Sequence, residues 1–260
     1  MDAALHFSQA QLDGWITGLL LSFTRIAAML IAAPLFGART IPMQVRISLA
    51  LVLALMVQPL LPPVPPLELL SFQMVLAVGR EVLVGVMAGF VLQLVFAALA
   101  MAGETIALGM GLGFASLVDP DKGIQVPVVG QALVIIGTLL FLAMNGHLAL
   151  MRFLVESFTT MPIGGGLPVE NFTAIVGWGS VMFSHAVMIA LPAVGALLLA
   201  NLSMGVVTRA APQLNIFAVG FPMTLMLGFI MLYSTIGAID GRFTELLSEG
   251  FSLIGWLLGG

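Results

Sequence analysis

The sequence predicts an all-α, membrane-associated protein built from helical hairpins with Pro/Gly-broken helices. Of its 260 residues, 60% are hydrophobic and only 8% are charged, and the mean hydropathy is +1.17. The apolar residues form runs long enough to cross the ~30 Å hydrocarbon core of a bilayer, and prolines and glycines cut those runs apart. A soluble domain carries about three times this charged fraction, so a water-soluble enzyme is excluded first. The net charge is −4 and the eight Lys and Arg are scattered, which leaves no basic stripe to track a phosphate backbone. The chain has no cysteine, which removes disulfides, thiolate metal sites, iron–sulfur clusters and cysteine nucleophiles together. Asp2 and Asp13 precede the first basic residue, Arg25. That is the wrong polarity for a cleaved secretory signal, and the first segment is expected to be retained.

Six apolar helical segments follow in order. The first covers residues 14–33 and contains Arg25. Pro34, Gly37 and Pro42 make a turn before the second, 45–61. Pro59, Pro62, Pro63, Pro65 and Pro66 favour a stiff polyproline II connector. A third helix over 69–102 would measure about 50 Å at 1.5 Å per residue, longer than the hydrocarbon core. It either leaves the bilayer or belongs to a protein not embedded in the ordinary way. Residues 103–127 hold clustered charge (Glu104, Asp119, Asp121, Lys122) and three alternate glycines, and are expected to form a loop or broken helix. The fourth segment is 128–151, a connector spans 152–170, and the fifth and sixth segments are 173–200 with Pro192 and 216–239 with Pro222. An apolar tail over 250–258 is too short to span. Arg39, Arg46, Lys122 and Arg209 fall on one side and Arg152 and Arg242 on the other, which by the positive-inside rule puts the N-terminus in the periplasm.

Arg25 inside an apolar run costs about 2.5–3.5 kcal/mol to insert, so a carboxylate partner is expected, with Glu81 and Glu104 as candidates and snorkelling to an interface as the alternative. His6, His147 and His185 are too dispersed to form a metal site at helical spacing. Neither a phosphate loop nor a G-x-S-x-G elbow is present, so ATP hydrolysis and acyl transfer lack their usual marks. The most informative stretch is Gly109-Met-Gly-Leu-Gly-Phe-Ala-Ser-Leu-Val-Asp-Pro120. Each glycine weakens a helix by roughly 1 kcal/mol while Met110, Leu112, Phe114 and Leu117 stay apolar, a combination suited to a deformable seal. Tight helix packing is the competing reading, since Gly109 and Gly113, like Gly85 and Gly89, have small-xxx-small spacing.

Several stretches together resemble the FliR/SpaR (SctT) family of type III secretion export-gate proteins over the full length. They are Arg25 with Ala33-Pro-Leu-Phe-Gly-Ala-Arg-Thr-Ile-Pro42 and Arg46, Gly103-Glu-Thr-Ile106, the 109–120 stretch, Asn145-Gly-His147, Thr208-Arg-Ala-Ala-Pro-Gln-Leu-Asn-Ile-Phe217 and Gly220-Phe-Pro222. The resemblance implies a single export-gate domain over 1–260, folded like a joined FliP-like and FliQ-like unit. It implies no catalysis and no cofactor. The implied partners are FliP, FliQ and FlhB, with further basal-body export components and unfolded export substrates, in the bacterial inner membrane at the flagellar basal body. The assembled gate would be raised toward the periplasm. The channel plug would comprise Gly109, Met110, Gly111, Leu112, Gly113, Phe114 and Leu117, where leucine at 117 replaces a frequent aromatic. Arg25, Arg80, Glu81, Glu104 and Arg209 would serve as assembly or buried polar contacts.

Flagellar use is favoured over a virulence injectisome by overall similarity. A stand-alone secondary transporter, with helices broken at Pro192 and Pro222 around a midplane site, is the reading from a different class. Its segments offer only His185, Asn201, Asn215 and few other polar groups.

Overall fold

A computed structural model describes residues 9–37, 41–62, 67, 71–113, 128–211 and 216–259, and every regular element among them is helical. In chain order these are α1 (Gln9–Ala32), α2 (Met43–Val57), a 3-10 turn (Gln58–Leu60), α3 (Phe72–Gly109), α4 (Val128–Ala143), α5 (Gly146–Thr160), α6 (Glu170–Ala210) and α7 (Ile216–Leu257). Five helices are long and apolar enough to cross a membrane, or up to six if the bent pair α4–α5 counts as one span. The chain forms two compact units. The first contains Met1–Gln93, Asn145–Val176 and Glu249–Gly260; the second contains Leu94–Met144 and Gly177–Ser248.

The helix bounds differ from the expected ones, most of all from residue 103 onward. The predicted loop from residue 103 is helical as far as Gly109. Gly103 does not break α3 because its missing side chain admits α4: a Cβ there would lie 2.5 Å from Gly130 Cα. The helix stops at Gly111, whose φ is 82°. Gly111 N–H donates to Leu108 O at 3.0 Å and Leu112 N–H to Ala107 O at 3.1 Å, the paired bonds of a Schellman C-cap built on a left-handed glycine.

The expected segment 128–151 is two helices, bent by 67° at Asn145, the one described non-glycine residue with positive φ (58°). Residues 152–160, expected as connector, complete α5, which ends at Met161 because the following Pro162 disfavours helical backbone. The last two helices continue to Ala210 and Leu257, with Pro192 and Pro222 inside them, so the tail from residue 250 belongs to α7. Pro59 lies in the 3-10 turn, and Leu61 after it has φ −73°, ψ 141°, which is polyproline II geometry. Residues 63–66 lie outside the described set.

In the first unit α1 and the early part of α3 touch along Gly85 and Gly89. A Cβ on Gly85 would meet Arg25 O at 2.2 Å, and one on Gly89 would meet Ala32 Cβ at 2.6 Å and Met29 O at 2.8 Å. Only small residues allow so close a crossing. Phe153 of α5 stacks on Phe251 of α7 with centroids 5.7 Å apart. Asn171 Nδ2 donates to Leu257 O at 3.0 Å, and Thr160 Oγ1 donates to Leu258 O, which closes the unit around the chain's C-terminal residues. In the second unit Phe96 sits edge-on to both Phe141 and Phe243, each at 5.8 Å, an arrangement that suits the quadrupole of aromatic rings.

Candidate functional site

The first candidate site is built on Arg25, which is fully buried in the first unit together with Glu81. Arg25 Nε donates to Glu81 Oε2 at 2.6 Å. Its Nη1 donates to Ser157 O at 2.9 Å and to Ser157 Oγ at 3.0 Å, and its Nη2 to Met161 O at 2.9 Å. The guanidinium also stands 4.3 Å from the centroid of the Phe158 ring, close enough for a cation–π contact. The carboxylate that the apolar setting of Arg25 demands is thus Glu81. Ser157 and Met161 contribute carbonyls from the C-terminal end of α5, which favours a cation; Ser157 O also accepts Met161 N–H at 2.9 Å. One side chain of α1 therefore ties α3 and α5 together.

Arg80 lies beside this cluster. Its Nη2 donates to Pro162 O at 3.3 Å and Gly166 O at 3.5 Å, and its Nη1 is 3.8 Å from Glu81 Oε1. Arg80 thereby straps the turn that contains Gly164, a residue with φ 89°. Glu104 is exposed on α3 and Arg209 is exposed in the last turn of α6. Neither joins the Arg25 cluster. The Ser157, Met161 and Phe158 contacts were not foreseen. Carbonyl acceptors leave no mark in a sequence, and Phe158 looks like any other core aromatic.

The second candidate site is the C-terminal end of α3, in the second unit. Gly109 is the last helical residue and residues 110–113 form the turn. Met110 is fully buried, Gly111 makes the left-handed stop, and Leu112 and Gly113 are half-buried. Phe114 and Leu117 lie outside the described residues. Unlike Gly85 and Gly89, Gly109 and Gly113 meet no backbone of another helix. Among the described residues, a Cβ on Gly109 would touch Leu197, nearest at 3.1 Å, and one on Gly113 would touch Leu108 Cδ2, also at 3.1 Å. The close-packing role of small-xxx-small spacing belongs to the first pair and not to the second.

Among the described residues no three His, Asp or Glu side chains gather where a metal could be held. A groove of ≈ 230 Å³ between α6 and α7 is walled by Met188, Ile189, Pro192, Met231 and Ile239, with Arg242 as its one charged lining residue. The helices on either side of it are continuous through their prolines, whereas a transporter site is typically made by discontinuous helices.

Residues 16–250 match the sequence model of a family described as bacterial export proteins, family 1. The chain belongs to that family. It is 38% identical to the flagellar biosynthetic protein FliR of Escherichia coli (strain K12) over 250 residues, covering 95% of each chain. It is also 38% identical to FliR of Pectobacterium carotovorum subsp. carotovorum, over 98% of this chain and 97% of that one. With FliR of Bacillus subtilis (strain 168) it shares 35% identity, over 82% and 83%. As a member of the FliR family of export proteins, the chain is a component of an export apparatus and not an enzyme. Both candidate sites fall within the matched residues, and their chemistry is that of packing and burial.

Proposed function

We propose that this chain is a structural and gating subunit of the flagellar type III protein export gate. It assembles in the bacterial inner membrane with several copies of FliP and FliQ, in contact with FlhB, to form the closed entrance of the export channel. Residues 109–117 contribute its plug. The observation that carries the reading is similarity along nearly the whole chain to FliR proteins of flagellar systems from separate organisms; this also favours flagellar over injectisome use.

Two physical features support it. Bulky apolar side chains are exposed on several helices, among them Val52 and Met56 of α2, Val176 and Leu202 of α6, and Met226 and Tyr233 of α7. Exposed apolar side chains in this number need lipid or partner protein to cover them. At the end of α3 the helix stops on Gly111, and a Cβ on Gly109 or Gly113 would meet leucine side chains rather than backbone among the described residues. An apolar constriction blocks ions by dewetting. Unfolded substrates would pass outward on energy supplied through partner components, with the assembled gate raised toward the periplasm.

The test replaces residues 109–117 with a Gly/Ser linker in the gate co-expressed with FliP and FliQ. The expected result is intact co-purification with a clear rise in small-ion conductance of the reconstituted complex. Unchanged conductance refutes the plug, and failure to co-purify with FliP and FliQ in the unaltered chain refutes the gate assignment.

A further inference from the structure

The C-terminal turn of α3 rests on a specific seat. The Met110 side chain lies lengthwise over Gly228 of α7: a Cβ added at Gly228 would stand 2.3 Å from Met110 Cγ, 2.7 Å from Cε and 2.8 Å from Sδ. Three successive side-chain atoms thus run across one glycine, and any larger residue there would occupy their place. Methionine suits such a seat because it is unbranched and bends at three torsions. One turn before Gly228, and therefore on the same face of α7, buried Thr224 reaches the same residue, its Oγ1 donating to Met110 O at 3.4 Å. That hydroxyl also donates to Phe221 O at 3.0 Å, and it has one proton, so the contact to Met110 is the weaker share. From α6, Asn201 Nδ2 donates to Gly109 O at 3.5 Å, and Leu197, one turn earlier, packs on Gly109.

The last carbonyls of α3, unsatisfied within the helix itself, are therefore met by side chains of two other helices at the long limit of hydrogen bonding. The fit is specific in shape and weak in polar bonding. In both helices a proline precedes the seat: Pro192 five residues before Leu197, and Pro222 two residues before Thr224. At each the helix lacks one ladder hydrogen bond and bends most readily.

We propose that Met110 is the latch of the seal. Seated on Gly228, it registers residues 109–113 against α6 and α7, and its departure from that seat accompanies opening. This inference rests on the plug reading of residues 109–117.

The absence of native cysteine makes the test direct. In the co-expressed gate, with Met110 kept, the thiol of Leu112→Cys is probed with a membrane-permeant maleimide, with and without Gly228→Leu, and the conductance of Gly228→Leu is measured on its own. Gly228→Ala serves as the milder second variant, and co-purification with FliP and FliQ confirms assembly. Filling the seat is expected to speed labelling at position 112 about tenfold, the equivalent of ~1.4 kcal/mol of overpacking, and to raise ion conductance. Labelling unchanged in both Gly228 variants overturns the latch. Faster labelling with no added conductance, beside a leaking 109–117 linker variant, also overturns the latch but spares the plug. A linker variant that does not leak overturns the plug reading, and the role of the latch in gating falls with it.

Discussion

On α3, Glu81 and the two glycines that follow it meet α1 through a buried ion pair and through backbone, whereas Gly109 and the turn after it meet α6 and α7 through the Leu197 side chain, the Met110 side chain laid on Gly228 and two long hydrogen bonds. In the first region every guanidinium nitrogen of Arg25 is engaged at 3.0 Å or less, and Gly85 faces a carbonyl that leaves no room for a Cβ. In the second the polar contacts are 3.4–3.5 Å long and the neighbours of Gly109 and Gly113 are movable methyl groups. Backbone walls and buried charge permit one arrangement. Flexible side chains and long hydrogen bonds constrain the second region less tightly.

This contrast breaks most readily at Arg25. Arg25→Met leaves buried Glu81 with only the 3.8 Å approach of Arg80 and should cost about 3 kcal/mol, seen as a large loss of yield and of thermal midpoint in the detergent-extracted complex. The double change Arg25→Met with Glu81→Leu should recover most of the loss, because an apolar pair of similar volume replaces the ion pair. An Arg25→Met protein as stable as the parent would remove the basis for calling this region the fixed one.

The two glycine pairs sharpen the comparison. Gly85→Leu drives a side chain into the α1 backbone and should destabilise by about 1–3 kcal/mol or more. Gly113→Ala, where among the described residues Leu108 Cδ2 has to shift, should stay within about 0.5 kcal/mol. Equal effects of the two substitutions on the thermal midpoint would erase the distinction between packing and non-packing glycines. The smallest clear effect is expected at Gly111→Ala, which forces a Cβ into the left-handed region and should cost about 1–2 kcal/mol, read as increased proteolysis of the chain after α3 with little change in the global midpoint.

The helical class, the apolar segments and the need of Arg25 for a carboxylate were legible in the sequence, because composition and the cost of an unpaired charge in hydrocarbon are local properties. The end of α3 was legible in part: alternate glycines at 109, 111 and 113 mark a weak helix, yet only Gly111 takes a left-handed φ and stops it. The bend at Asn145 escaped because an asparagine in an apolar run has no periodic signature, although it is the residue type that tolerates a left-handed backbone.

By itself the sequence determined that this protein is a bundle of apolar helices with too few charges for water and one arginine that must be neutralised. Tertiary structure decided that Glu81 and not Glu104 neutralises it, that Ser157 and Met161, 132 and 136 residues away, complete its shell, and that Gly228 is the seat of Met110. The reason is distance along the chain. Burial and helix formation depend on neighbours a few positions away, whereas an ion pair or a glycine seat depends on which remote helices cross, and that crossing is set by the packing of the whole unit.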